Sequence, residues 1–185
     1  TNSTSTFAEV GVAQGWNADD DCWTLELPFD FPFYGNKYGT AYINSNGTIT
    51  FDGDFDHWSY SVQNFTNRVM IAALWSDLDT SYGGDVYVST HSDVVTICWV
   101  CQYHSGGGSV AASAKLYSNG DICLAYGNGN ANGGFVGVSA GDGLRYIPLG
   151  GEMSLNAAQD ILLRSEGMAD GLFISEEGQI TGIPT

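Results

Sequence analysis

Apolar and polar positions alternate through much of this chain, in short runs punctuated by glycine, asparagine and aspartate. A period of two turns one side of an extended segment toward a core and the other toward water. Residues 22–27 and 85–90 read as strands of this kind, the second with Val86 and Val88 opposed to Tyr87. Residues 94–103 read likewise, with Val95, Ile97 and Trp99 on one face. One tripeptide occurs twice between such runs, as Ser45-Asn46-Gly47 and Ser118-Asn119-Gly120. Glycine accepts the positive φ that a tight loop demands, so each copy predicts a hairpin. A three-residue loop in the first pairs Ile43 with Ile49 and Ala41 with Phe51. In the second it pairs Leu116 with Ile122, Ala114 with Leu124 and Ala112 with Tyr126. Both registers gather apolar side chains on one face, as a half-buried antiparallel sheet requires.

Other segments break the alternation. Residues 29–34 are extended because Pro32 restricts Phe31. The run Val69-Met70-Ile71-Ala72-Ala73-Leu74-Trp75 is apolar throughout, and periodicity alone does not separate a buried strand from a short helix. Residues 52–66 read as a long polar-aromatic loop and residues 135–138 as a short strand. After Gly151 the character changes. Leu155, Ala158, Ile161 and Leu162 share a face of a short helix following Ser154, and residues 178–185 read again as strand. Many short strands with turn signals every ~8–12 residues indicate an all-β fold, an antiparallel β-sandwich with little helix. The expected division is a sandwich domain over 1–150 and a C-terminal extension over 151–185. Residues 1–8 are polar and expected to be mobile.

Of the 185 residues, 43% are hydrophobic and 13% aromatic, which suffices for a sizeable core. The formal net charge is −16, and Lys37, Arg68, Lys115, Arg145 and Arg164 form no cluster. Such a surface repels phosphate backbones and anionic membranes, which argues against nucleic-acid binding. No run approaches the ~20 apolar residues of a membrane span, so direct insertion is not expected. The chain starts Thr1-Asn2-Ser3-Thr4 without a signal-peptide pattern, as a mature or excised fragment would. The four cysteines are Cys22, Cys98, Cys101 and Cys123. An even count in a sheet-rich, lysine-poor chain points to disulfides and an oxidising compartment. Cys98 and Cys101 lie on opposite faces of one strand and do not easily bond each other. A bridge from one of them to Cys22 or Cys123 is expected, with connectivity open and buried thiols as the alternative. A zinc site lacks the second CxxC it would need.

Asp77 and Asp79 share a face if residues 75–79 are extended, and chain reversal at Gly83-Gly84 brings Asp85 near. Hard oxygen ligands of this kind suit Ca²⁺, which takes ~6–8 oxygens. The competing role is to cap backbone N–H groups in turns. Asp52-Gly53-Asp54-Phe55-Asp56 opens like a calcium loop. His57 and Gln63 stand where an EF-hand needs Gly and Glu, so it is not one. Asp19-Asp20-Asp21 reads as a solvated run. Trp16, Trp58 and Tyr60 fall in or beside loops, and Trp58 and Tyr60 are the candidate ligand-binding rings, able to stack on sugars or proteins. Their alternative is packing onto the sheet. Trp23, Trp75 and Trp99 read as core. His57, His91 and His104 lie near polar loops, and no GxSxG, HExxH or catalytic-cysteine pattern occurs. Paired carboxylates serve glycosidases, but this spacing is too common to single that out. Asn2, Asn46 and Asn64 head glycosylation sequons.

Several pieces follow one another in a set order. They are Phe31-Pro32-Phe33-Tyr34-Gly35, Ser45-Asn46-Gly47, residues 71–79, Gly84-Asp85-Val86-Tyr87, residues 95–99, Leu116 to Ile122, and Gly137 to Gly143. The ordered set, over about residues 23–147, resembles a nidogen-like (NIDO) domain, an extracellular module of adhesive proteins. Val100 and Cys101 after Trp99, and Ser109-Val110-Ala111-Ala112 before the second hairpin, depart from the family's polar pattern. The resemblance implies a secreted or cell-surface location and a non-catalytic role in adhesion or in matrix or protein recognition. Its partner would be an extracellular protein or glycan. A carbohydrate-binding module is the alternative reading, and a secreted glycoside hydrolase a further one. Residues 171–185 resemble part of an immunoglobulin-like repeat of bacterial surface proteins, which implies that a larger multidomain chain continues.

Overall fold

The computed structural model describes residues 6–8, 11–150, 154–165, 172–174 and 179–182. In chain order the strands begin with β1 (Val12–Ala13), β2 (Cys22–Phe33), β3 (Asn36–Asn44), β4 (Thr48–Thr50) and β5 (Val69–Trp75). They continue with β6 (Leu78–Asp79), β7 (Asp85–Thr90), β8 (Val94–Tyr103), β9 (Ser109–Tyr117) and β10 (Ile122–Tyr126). The last are β11 (Phe135–Ala140), β12 (Tyr146–Gly150), β13 (Ile161–Leu163), β14 (Leu172–Ile174) and β15 (Gln179–Gly182). One short helix, α1 (Val62–Thr66), precedes β5, its first turn capped by Ser61 Oγ, which accepts from the Asn64 N–H. About 51% of the chain is strand and 5% helix, against roughly a third helix in an average domain. The sandwich expectation holds.

Two sheets face each other. One runs β12-β11-β5-β4-β3-β2, the other β1-β7-β8-β9-β10-β13-β15-β14 with β6 also on β8. Neighbouring strands are antiparallel except β13 and β15, which run parallel. The second hairpin forms all three expected pairs. The first pairs Ile43 with Ile49, but its ladder stops at Thr50. Phe51 gives its N–H to the Val69 carbonyl instead, so the expected Ala41–Phe51 pair does not form.

The main core lies between the sheets and includes Ile43, Ile71, Ile97, Trp99, Leu116 and Leu124, all fully buried. The Trp99 indole N–H donates across to the Asn44 carbonyl at 2.8 Å. A second, smaller cluster of Phe55, Phe65, Met70, Ala72, Trp75 and Phe135 sits on the opposite face of β5. Residues 52–66 cover that face. The strand is therefore buried on both sides, which is why its residues show no alternation.

Two further expectations fail. The helix after Ser154 is absent. The backbone N–H groups of Leu155 and Ala157 donate to the carbonyls of Asn130 and Gly127, and Asn156 Oδ1 accepts from Gly129 N. Residues 161–163 then pair with β10. Tertiary partners took the bonds a helix would have made internally. The expected disulfide is also absent, and all four cysteines stand as thiols. Cys101 faces the main core. Cys22 adjoins Phe55 in the second layer. Cys98 and Cys123 lie on the far side of the other sheet, on β8 and β10 with β9 between them. Two strand spacings, about 10 Å, exceed the ~7 Å that a bridge spans between Cα atoms. Burial pushes the Cys101 thiol up to about 12.

Within the extension, β13 continues the sheet beyond β10, and β14 pairs with β15, the strand expected near the C-terminus. The rest of the immunoglobulin-like resemblance and residues 1–5, with the Asn2 sequon, lie outside the described residues.

Candidate functional site

The site is assembled around the first Ser-Asn-Gly turn. Ser45, Asn46 and the following Thr48 are fully buried. The Gly47 carbonyl accepts from the N–H groups of Ala73 and Leu74 at 3.0 and 3.3 Å. Gly47 has φ +78°, and a Cβ there would overlap the Leu74 carbonyl oxygen. Asn46 Oδ1 accepts from the Leu78 N–H at 2.7 Å, and its Nδ2 donates to Asp20 Oδ1 at 2.7 Å. Ser45 Oγ donates to the Asp19 carbonyl at 2.6 Å. One turn thus grips both the link after β5 and the segment that carries Asp19 and Asp20. A buried Asn46 is no glycosylation acceptor.

Two carboxylate groups result. Asp19, Asp20 and Asp77 bring one oxygen each within 4.8 Å of one another, and Asp19, Asp79 and His104 form a second such group. His104 Nδ1 lies 2.9 Å from Asp19 Oδ1 and 3.9 Å from Asp79 Oδ2. The Asp19 charge raises the His104 pKa, with Asp77 and Asp79 adding to it. Burial raises that of Asp77, and the charges of Asp19, Asp20 and Asp79 act the same way against His104. Asp79 is buried and accepts from the Ser81 N–H and hydroxyl at 2.8 and 2.5 Å. Among the described residues no group donates a hydrogen bond to the Asp77 carboxylate. Asp85 stands apart from both groups. It accepts from the N–H groups of Gly15, Trp16 and Val86 at 2.9, 3.1 and 2.7 Å, and so fastens the segment after β1. Asp52 is held by Arg68 at 3.0 Å.

Beside Asp77 a cleft of about 590 Å³ opens over the second aromatic cluster, lined by Trp58, Tyr60, Trp75, Asn132 and Phe135. Trp58 is 53% and Tyr60 40% exposed. The Tyr60 ring stacks on Phe135 with centroids 3.9 Å apart and meets Trp75 edge-on at 5.7 Å. The Trp75 indole N–H donates to the His57 carbonyl at 2.9 Å, anchoring the loop that carries Trp58. Asn132 is fixed by donation to the Gly107 carbonyl at 2.9 Å. The structure therefore unites Trp58, Tyr60 and Asp77 at one cleft, while Asp79 lines a separate pocket with His104 and Asp85 lies elsewhere. Sequence reading missed Phe135, Asn132 and His104, and treated Asp19 and Asp20 as solvated. Their sole trace in the chain is the run of three aspartates. Chemically the cleft offers flat apolar faces with a carboxylate at one end.

Comparison with known proteins agrees with the resemblance. The family described as NIDO related matches residues 1–161. The chain belongs to that family. Nidogen of Drosophila melanogaster is 37% identical over 68 residues, which is 36% of this chain and 5% of that protein. The chain thus spans only a small fraction of this relative's length. No solved structure matches it. Among the described residues no helix is long and apolar enough to cross a membrane.

Proposed function

We propose that this chain is a non-catalytic recognition module of a secreted or cell-surface protein, used in adhesion or matrix binding, with the Trp58–Tyr60 cleft as its ligand site. The cleft itself carries the reading: two exposed rings on a rigid aromatic floor, ending at a carboxylate that receives no hydrogen bond among the described residues. Exposed aromatic side chains anchor protein interfaces at low entropic cost. Family membership and the acidic, lysine-poor composition support an extracellular setting and a protein partner. The charge of −16 speaks against nucleic acid. Solid-phase binding to purified matrix proteins, run beside a glycan array, tests this. Wild type should hold a matrix protein, and Trp58→Ala should release it without lowering the melting temperature. Undiminished binding by the variant contradicts the reading. Glycan binding abolished by Trp58→Ala would favour the carbohydrate-binding alternative, which the ring platform also supports.

A second reading concerns calcium. The convergence of Asp19, Asp20 and Asp77 supports Ca²⁺ held through Asp77, while the expected second ligand Asp79 belongs to a neighbouring group with Asp19 and His104, and Asp85 fastens the segment after β1. An ion bound only by the folded state stabilises it by mass action, by about 2.7 kcal/mol at a hundredfold excess over Kd, and so raises the melting point. Melts in EDTA and in millimolar Ca²⁺ check this. The midpoint should rise with Ca²⁺ in wild type and not in the double variant Asp77→Asn, Asp79→Asn.

A further inference from the structure

We propose that the cleft receives an arginine side chain from an extended basic segment of a partner protein, its guanidinium lying against Trp58 and pointing its charge at Asp77. This rests on the recognition reading above and names the ligand chemistry of the same site. Aromatic faces alone do not separate a sugar from a peptide. The charge pattern does.

Arg68, Arg145 and Arg164 each already face a carboxylate, Asp52, Asp142 and Asp121 respectively, at 3.0, 2.7 and 2.9 Å. Around Asp77, which lines the cleft, the balance is reversed. Asp19, Asp20 and Asp77 crowd together, and among the described residues the basic group beside them is His104, which lies against Asp19 and Asp79. Like charges so close repel. An incoming cation relieves that repulsion. A neutral sugar does not.

Shape points the same way. Guanidinium is planar, stacks on an indole face and meets a carboxylate through a fork of N–H donors. Trp58 supplies an exposed face, and Tyr60, clamped on Phe135, supplies a wall that need not be ordered on binding. The volume of about 590 Å³ leaves room for backbone flanking the arginine. The surface charge of the whole chain steers a basic segment toward it.

The test is fluorescence polarisation of a labelled arginine–glycine repeat peptide, in EDTA to keep divalent ions from the carboxylates. A glutamine–glycine repeat is the neutral probe. Variants are Trp58→Ala, Asp77→Asn and Asp93→Asn, the last removing an equal charge from an exposed turn between β7 and β8. The arginine peptide should bind and the glutamine peptide should not. Trp58→Ala and Asp77→Asn should each weaken binding about tenfold, and Asp93→Asn by less than about twofold. No measurable binding of the arginine peptide overturns the proposal. So does equal weakening by Asp93→Asn and Asp77→Asn, which would mean diffuse attraction, or full binding by Trp58→Ala. If these fail while matrix binding still depends on Trp58, the arginine proposal falls and the recognition reading stands. If matrix binding also ignores Trp58, both fall.

Discussion

Ser45-Asn46-Gly47 and Ser118-Asn119-Gly120 are the same three residues in the same local role, each closing a hairpin in its expected register. The side chains of the first two residues meet different surroundings. Ser45 and Asn46 are fully buried, and Asn46 bonds to residues from two distant segments. Ser118 and Asn119 are exposed, and Asn119 Oδ1 accepts from the N–H of Asp121, two residues on. Turn chemistry sets backbone shape. What arrives from elsewhere in the chain decides whether that shape becomes a surface loop or an interior joint. In this protein the interior copy is the joint that holds the carboxylate end of the cleft.

The widest gap between the two turns should appear at their glycines. Gly47→Ala forces a left-handed residue against the Leu74 carbonyl, main chain that cannot swing aside. We expect a loss of several kcal/mol, a large share of the ~5–15 kcal/mol that holds a domain together. Gly120→Ala, with φ +90° and its Cβ 2.9 Å from the Pro32 carbonyl and 3.0 Å from Ser165 Cβ, should lose about 1–3 kcal/mol. Urea unfolding measures both, and equal losses would break the comparison. The asparagines should follow in the same order. Asn46→Ala strands the buried Leu78 N–H and the Asp20 contact, for about 2–3 kcal/mol. Asn119→Ala, on the surface, should stay within about 0.5 kcal/mol.

A smaller effect sharpens the contrast from the exposed side. Burial pushes the Asp121 pKa up, but the Ser165 N–H, Arg164 and further hydrogen bonds overcome it, so the folded value is lowered. A depressed carboxylate adds stability above its unfolded pKa of about 3.9 and loses it as pH falls through the folded value. Asp121→Asn should therefore be less stable than wild type at neutral pH and converge with it as pH falls through the lowered folded value. Parallel stability curves would show that this clamp between the second turn and the extension contributes nothing. Smallest of all should be Trp58→Ala, within about 0.5 kcal/mol of wild type, because the cleft wall it forms is not part of the joint.

What was legible in the chain was what local period encodes. Both hairpin registers, the strand faces around Val86 and Ile97, and the rings of Trp58 and Tyr60 could be read from neighbours a few residues away. The face-to-face burial of β5 could not, since residues 52–66 cover it from a distance. Nor could the meeting of Asp19 and Asp20 with Asp77 and His104, which depends on Asn46 reaching sideways into two other segments. The helix after Ser154 failed for a related reason: an apolar spacing of three and four was outweighed by bonds to the loop at Gly127 to Asn130.

Native-state hydrogen exchange on single amides bears most directly on the claim that one tripeptide serves as joint and the other as loop. The Leu78 N–H, held by Asn46 Oδ1, and the Ala73 N–H, held by Gly47, should exchange only through global unfolding. The Gly120 N–H, bonded to the Tyr117 carbonyl within its own turn, should exchange much faster through local opening. Equal protection at Leu78 and Gly120, or faster exchange at Leu78, would contradict the account.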